Sequence, residues 1–436
     1  MNHEARLGAL LDTLDASLRS TLDRCLEGHE LGWQAAVPLC ELTGRELHAL
    51  CLVADVLRSR QAGETVGYVV NRNVNFTNVC VKSCGFCAFS RSHRSEQGYF
   101  LDLGEILRRA HEAHALGATE LCLQAGLAPG VDGRFYVELC EKLKAELPAL
   151  HLHAFSPEEV KYGARLRGIP IRAHLEELKA AGLGSLPGTS AEVLDDSVRD
   201  RIAPGRITTE QWVEVVRTAH ELGIPTTSTL MFGHVETHVE RMKHLDLLRS
   251  IQNDTKGFTE FVPLSFVHQE APMYLRGLVP GVRKGPSGND VIRLFAISRL
   301  MLGQSFVNIQ ASWVKESLRG AQWLLSCGAN DLGGTLMNES ISTAAGAAHG
   351  QLATPATLRE LIRDAGREPA QRDTCYRILR RFDGETDASH DPLDELANPE
   401  AVFGSYAKLS TSTEFRFQTL RLKRGPTSAN STPTKS

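Results

Sequence analysis

The sequence predicts an α/β fold of the TIM-type (β/α)8 barrel class, with a helical preface at its N-terminus and further helices at its C-terminus. Three observations point there. From Gly67 onward, eight short strand-like runs alternate with amphipathic stretches of helical period. Before them, up to about Val66, the chain reads as helix. No G-x-G-x-x-G follows the first run, which disfavours a doubly wound sheet.

Residues 1–66 make up the preface, where Thr43 and Glu46 form a T-x-x-E capping-box pattern ahead of the apolar-periodic stretch 47–57. The barrel is assigned to 67–350, with strands at 68–76, 120–124, 151–155, 182–186, 226–231, 259–264, 305–310 and, more weakly, 329–332. Between them the period predicts helices at 103–116, 135–146, 171–181, 209–222, 239–251, 290–302 and 314–325. Helix-face charges such as Arg108, Arg109 and Glu112 read as solvated. Closing helices at 354–364 and 369–381 fill the span 351–385, and a variable, partly disordered tail takes up 386–436, ending in a Ser, Thr and Pro-rich run at 423–436. A partly open, six-stranded barrel is the alternative to full closure.

The 436 residues carry a net charge of −4 and are 42% hydrophobic, enough for a sizeable core. That balance offers no basic field for nucleic acid, so a small-molecule substrate is expected. No apolar run reaches the ~18 residues of a membrane span, and no leader pattern opens the sequence, so a cytoplasmic protein is expected. Of ten cysteines, all but three are scattered singly, which suits reduced thiols plus one ligand cluster better than a disulfide framework.

That cluster is Cys80-Val-Lys-Ser-Cys84-Gly-Phe-Cys87, a C-x3-C-x2-C array just after the first strand, where a barrel presents its active-site loops. Three thiolates can hold three irons of a [4Fe-4S] cubane and leave the fourth iron open. An open iron can chelate the amino and carboxylate groups of S-adenosylmethionine (SAM) and pass an electron into its sulfonium, releasing a 5′-deoxyadenosyl radical. Structural zinc would want a fourth ligand, for which His93 is at hand but no second cysteine pair is. A plain electron-transfer cluster usually needs a fourth cysteine.

The segment 73–80, continuing through Cys84, Cys87, Ala88, Phe89, Ser90 and Arg91, resembles radical SAM enzymes of deazaflavin and menaquinone biosynthesis. The segments 151–159, 186–194, 261–264 and 308–315 resemble more narrowly the tyrosine-using half of FO synthase, the 5-amino-6-(D-ribitylamino)uracil–L-tyrosine 4-hydroxyphenyl transferase family of coenzyme F420 biosynthesis. The likeness runs from about residue 42 to about residue 376. One departure is Gln124-Ala125-Gly126, where relatives often read Gln-Gly-Gly. The resemblance implies that a deoxyadenosyl radical abstracts hydrogen from L-tyrosine, the Cα–Cβ bond breaks, and the 4-hydroxybenzyl group adds to 5-amino-6-(D-ribitylamino)uracil while the glycine part leaves as an imine. It also implies an external one-electron reductant, and, since the cysteine array occurs once, a separate protein for the cyclising half. Aminofutalosine synthase and dehypoxanthine futalosine cyclase are the neighbouring alternatives.

Beyond Cys80, Cys84 and Cys87, several residues are expected at the site, each with a plain alternative. Phe86 is placed on the adenine of SAM or serves as a hydrophobic plug. Gly126 lets backbone approach the SAM amino acid or simply ends a strand. Thr189 and Glu192 face the ribose or cap a helix. His151 and His153 share one strand face and bind substrate, or are satisfied core histidines. Glu158 is a polar contact beside Ser156-Pro157, which reads as an N-cap with proline at N1. Lys315 and Asp331, after strands seven and eight, bind tyrosine's carboxylate or the uracil edge, or serve in loops.

Overall fold

Alternating apolar runs need neighbours on both edges, and the chain supplies them in a ring. The computed structural model describes residues 3–382 and 391–418. The first barrel strand, Thr65–Val69 continued by Asn71–Val74, pairs in parallel with Glu120–Leu123, which pairs with His151–Ala154. His153 then bridges to Ser185, and Leu186 bridges to the fifth strand, Thr226–Phe232. That strand pairs with the sixth, Phe258–Ser265, where Phe261 bridges Ile309, and Gln310 bridges Asp331 of the last strand, Asp331–Gly334. Asp331 and Gly334 return to Gly67 and Val69, so the eight-membered parallel ring closes. The fourth and seventh positions are one or two residues wide. Pro187, which has no N–H to donate, stops the fourth, and the helix Trp313–Leu324 soon follows the seventh.

The predicted helices are present as Leu103–Ala115, Phe135–Glu146, Ile171–Ala180, Thr209–Glu221, His238–Thr255, Gly288–Leu302 and Trp313–Leu324. Two more are present: Pro157–Arg167, which starts at the N-cap read at Ser156-Pro157, and the short Asp196–Ile202, which was not expected. Their apolar faces bury against the ring. Trp212 is fully buried and stacks on Phe258 at 6.4 Å, and Phe258 stacks on Phe306 at 5.5 Å, contacts that together with burial hold the outer helices to strand six. In the preface, Gly44–Ala62 packs against Gly288–Leu302. Thr43 is its N-cap, but the expected capping box does not form, because the Thr43 side chain makes no cap hydrogen bond. Arg109 and Glu112 are not solvated as expected: Arg109 is buried on Glu105, and Glu112 pairs with the buried Arg72.

The span 369–381 is not a helix. It is a hairpin of Glu368–Arg372 and Ile378–Arg381, the first of which pairs in parallel with Thr65–Tyr68. The physical cause lies in the first strand, whose pairing with Glu120–Leu123 begins only at Asn71. The backbone groups of Thr65–Tyr68 on that edge need another partner, and the C-terminal strand supplies it. The helix Pro355–Asp364 does form as expected. Within the expected tail, residues 391–418 dock on the barrel: the Tyr406 ring lies 5.5 Å from Phe89, and the Phe417 N–H donates to the Gly98 carbonyl at 2.8 Å. The Ser, Thr and Pro-rich end, 423–436, lies outside the described residues. No helix among the described residues is long and apolar enough to cross a membrane.

Candidate active site

The loop after the first strand carries the three cysteines, and its backbone is clamped from several sides. Cys80 N–H donates to Arg91 carbonyl at 3.0 Å, Val81 N–H to Leu127 carbonyl at 2.9 Å, and Gly85 N–H to Ile202 carbonyl at 2.8 Å. Met273 N–H donates to the Gly85 carbonyl at 2.7 Å, and a Cβ on Gly85 would stand 2.9 Å from the Met273 Cβ, so glycine is what lets the two loops touch. Cys80, Cys84 and Cys87 together form one wall of a cavity of about 260 Å³ at the C-terminal mouth of the barrel. All three are free thiols. Burial pushes Cys80 up and Cys84 up to about 12, so a metal bound here must displace protons as it takes the thiolates.

Among the described residues no three Cys, His, Asp or Glu side chains converge as ligands of one metal ion. A cubane asks for a different arrangement, three thiolates that each reach a separate iron. The donor set on this loop is of that kind, and a guanidinium stands beside it to offset the negative charge of ligated thiolates.

That guanidinium belongs to Arg206. Its Nη1 donates to Glu192 Oε1 at 2.9 Å and its Nη2 to Ser190 Oγ at 2.7 Å, while its Nε lies 3.5 Å from Glu158 Oε2. It also lies 5.7 Å from the centre of the Phe86 ring. Arg206 therefore joins three of the residues expected from the sequence, Phe86, Glu158 and Glu192, into one wall. Sequence reasoning missed it because it sits in an irregular loop after Asp196–Ile202, with no spacing to mark it. Ser190 and Glu192 hold positive φ angles of 65° and 41°, a sparsely populated backbone for such residues that aims the wall's polar groups together. Glu158 also accepts from the Ile207 N–H at 2.6 Å and lies 3.5 Å from the Lys82 ammonium.

The second wall is Gln124-Ala125-Gly126. Thr189 Oγ1 donates to Gln124 Oε1 at 2.8 Å, so Thr189 lines the cavity with its hydroxyl engaged. Gly126 also lines it, yet the space its missing side chain leaves is filled by protein: a Cβ there would stand 2.4 Å from the Val79 carbonyl oxygen. Close approach to the cluster loop's own backbone explains the glycine. Gly126→Ala is accordingly expected to push the cysteine loop outward, costing about 1–3 kcal/mol and lowering iron uptake on reconstitution; thermal melting and iron titration check it.

A further residue missed from the sequence is Glu159, a buried carboxylate that lines the cavity and accepts from Ala125 N–H at 3.0 Å and Ser156 N–H at 2.8 Å. Burial raises it to about 7 against those hydrogen bonds. Its signal was present, since Ser156 and Glu159 form a complete capping box with Pro157 at the helix start.

Lys315 reaches the cavity from the first turn of Trp313–Leu324. Burial lowers its pKa, with Glu339 and Glu316 pulling the other way, and among the described residues its ammonium makes no hydrogen bond or ion pair. The other substrate candidates lie elsewhere. His151 and His153 point to one Ser185 hydroxyl at 2.8 and 2.7 Å, at the opposite end of the barrel interior, where burial lowers both and holds His153 down to about 4. Neither is a wall of the cavity. Asp331 is not a wall either: it accepts from Arg372 Nε at 2.6 Å and Nη2 at 2.8 Å, in a buried pair at the start of the last strand. Below the cavity these groups, with Glu120 on Asn71 and Glu260 on Tyr376, make a closed polar floor.

Comparison with known proteins identifies the family. The family description "Radical SAM superfamily" matches residues 74–248, and "CofH/MqnC C-terminal region" matches residues 255–383. The 5-amino-6-(D-ribitylamino)uracil–L-tyrosine 4-hydroxyphenyl transferase of Methanothermobacter thermautotrophicus is 50% identical over 346 residues, 79% of this chain and 94% of that protein. The protein of the same name from Methanocaldococcus jannaschii is 46% identical over 329 residues, 75% of this chain and 91% of that one. Among solved structures, methylornithine synthase (PylB) superposes with a TM-score of 0.64 at 19% identity, covering 80% of this chain and 97% of that chain. The hydrogenase maturase HydG of Carboxydothermus hydrogenoformans gives 0.66 at 17% identity, covering 86% and 84%. Those two share the barrel fold. With near-half identity across the barrel and the cysteine loop set at its mouth, the chain belongs to the 5-amino-6-(D-ribitylamino)uracil–L-tyrosine 4-hydroxyphenyl transferase family of the radical SAM superfamily.

Proposed function

We propose that the chain is a radical SAM transferase that cleaves the Cα–Cβ bond of L-tyrosine and joins the 4-hydroxybenzyl group to 5-amino-6-(D-ribitylamino)uracil, releasing 2-iminoacetate, 5′-deoxyadenosine and methionine. One observation carries the reading: in a chain of this family, the three cysteines share a cavity with a lysine that has no ion-pair partner among the described residues. When bound, a [4Fe-4S] cluster on Cys80, Cys84 and Cys87 together with SAM supplies the 5′-deoxyadenosyl radical.

The protein's own residues do the rest. Arg206, fixed by Glu192 and Ser190, offsets the thiolate charge and holds Phe86 in place at the mouth. Thr189 and the Gln124-Ala125-Gly126 backbone edge present polar groups to the same space, and Glu158 and Glu192 offer carboxylates within it. With both substrates seated, the cavity holds them against the reacting centre, where an unguided radical would be quenched. Lys315 binds tyrosine's carboxylate. A half-buried ammonium with no carboxylate at ion-pair distance among the described residues is costly, and a carboxylate ligand relieves that cost in a charge-assisted pair. The reaction takes its electron from an external one-electron reductant and hands its product to a separate cyclising protein. Ten cysteines as free thiols suit the cytoplasm.

The test is anaerobic reconstitution with iron and sulfide, then SAM, dithionite, tyrosine and the ribitylaminouracil. Mass spectrometry is expected to find deoxyadenosine and the hydroxybenzyl adduct; deoxyadenosine with a different adduct would assign another member of the superfamily. In the same assay Lys315→Ala is expected to keep iron content and uncoupled deoxyadenosine formation while cutting adduct formation at least about tenfold, mostly as a higher KM for tyrosine. Adduct formation at the unmutated level would remove Lys315 from the substrate site.

A further inference from the structure

The cysteine loop has a second face. Cys80, Cys84 and Cys87 also border a second cavity of about 720 Å³, which shares Lys82, Ala88 and Ser90 with the first but none of Thr189, Glu192 or Lys315, and its rim is of a different chemistry. It includes Leu275 and Leu278, which are 59% and 58% exposed, among the largest exposures of any apolar side chain described. Arg276 lies between them in sequence. Arg276 and Arg91 both border this cavity, and neither pairs with a carboxylate among the described residues. Among the described residues Glu270 is the one acidic group on the rim. In a chain whose net charge is −4, this is a locally cationic, apolar-centred patch.

The patch is wired to the cysteines. Leu275 ends the short helix Pro272–Leu275, whose Met273 donates its N–H to the Gly85 carbonyl at 2.7 Å, and Gly85 is bonded to Cys84. A few covalent bonds and one hydrogen bond thus join an exposed leucine to a thiolate ligand. Gly85 permits that contact only because it lacks a Cβ. An electron arriving here reaches the cysteine loop without crossing the cavity where substrate is held.

We propose that Leu275, Arg276, Leu278 and Arg91 form the docking surface for a small acidic one-electron carrier protein, which delivers its electron through the Met273–Gly85 contact to a cluster on Cys84. The proposal rests on the cluster assignment above. In the step, the reduced carrier loses one electron and the cluster gains it; no bond or proton moves. Complementary charge steers the carrier to the rim, and the two leucines give the encounter a dry centre that brings the redox groups close. Thr189, Glu192 and Lys315 do not border this second cavity, so a carrier docked on its rim does not sit on them.

The test uses the reconstituted full chain with a reduced flavodoxin, an acidic flavin carrier, as probe. Anaerobic stopped-flow absorbance follows the second-order rate of cluster reduction, and calorimetry measures binding of the oxidised pair. Arg276→Glu and Leu278→Asp are each expected to slow reduction by flavodoxin about tenfold or more at low salt and to weaken binding, and the unmutated rate is expected to fall as salt rises. Reduction by dithionite through methyl viologen, and the deoxyadenosine it drives, are expected to be unchanged in both variants. Equal flavodoxin rates for variant and unmutated protein, a salt-independent rate, or no reduction of the unmutated protein by flavodoxin would overturn the docking surface. Equal slowing of the viologen reaction would overturn it too, by showing that the patch merely supports the loop. If the unmutated protein forms no deoxyadenosine even with dithionite, the cluster assignment is wrong and the docking surface falls with it.

Discussion

Cys84→Ala is expected to abolish both cluster assembly and turnover. Cys84 is the most deeply buried of the three cysteines, and it is flanked by Gly85, whose backbone is locked to Ile202 and Met273. With that geometry no neighbouring side chain can move in to replace the lost thiolate, and a cubane iron is left without its anchor. Iron and sulfide content after reconstitution, and deoxyadenosine formation, are the measurements; both are expected to fall to background. Cys122→Ala is the control. Cys122 is equally buried, but it lies within the second strand and is not a wall of the cavity, and its sulfur accepts from the Gln124 side-chain amide at 3.4 Å. That variant is expected to keep its cluster. Full iron content in Cys84→Ala would refute the assignment.

Asp331→Ala is expected to unfold the barrel's floor. Arg372 is buried, makes two hydrogen bonds to Asp331, and stacks on Tyr376 at 3.9 Å. Removing the carboxylate strands a guanidinium in the interior, a change that typically costs about 3–5 kcal/mol. Glu260, 3.8 Å from Arg372, is too far to take over both hydrogen bonds. The melting temperature of the cluster-free protein is expected to drop sharply, and Asp331→Asn is expected to recover part of the loss by keeping one acceptor. A substrate-binding role predicts the reverse pattern, unchanged melting with a raised KM. A thermally intact Asp331→Ala protein would therefore restore Asp331 to the list of substrate contacts.

The contrast between these two residues shows where sequence reading succeeds. Local chemistry was legible: three cysteines within eight residues meet on one short loop whatever the fold, and Ser156-Pro157-Glu158-Glu159 caps its helix through bonds among near neighbours. The order of strands and helices was legible as well, because alternation and helical period record which face of each element is buried. Lys315 and Glu158 both line the cavity at the mouth, because each follows soon after the C-terminal end of a strand.

The tertiary structure decided what depends on partners distant in the chain. Alternation puts His151 and His153 on the inner face of the third strand, but nothing in the pattern says at what depth, and they lie on the floor with Ser185. Asp331 stands beside a loop of the kind that binds ligands in this fold, yet its partner is Arg372 from a hairpin that sequence period alone read as helix. That hairpin exists because the first strand leaves an edge unpaired below Asn71, a property of the assembled ring and not of residues 368–381. Arg206 gathers Phe86 and Glu192 from two loops and Glu158 from a helix start, and no spacing along the chain encodes that meeting. The sequence by itself determined which chemistry the mouth of the barrel can hold; the closed ring decided which polar side chains face that chemistry and which are spent on one another beneath it, because a buried charge must find its counter-charge wherever the fold brings one.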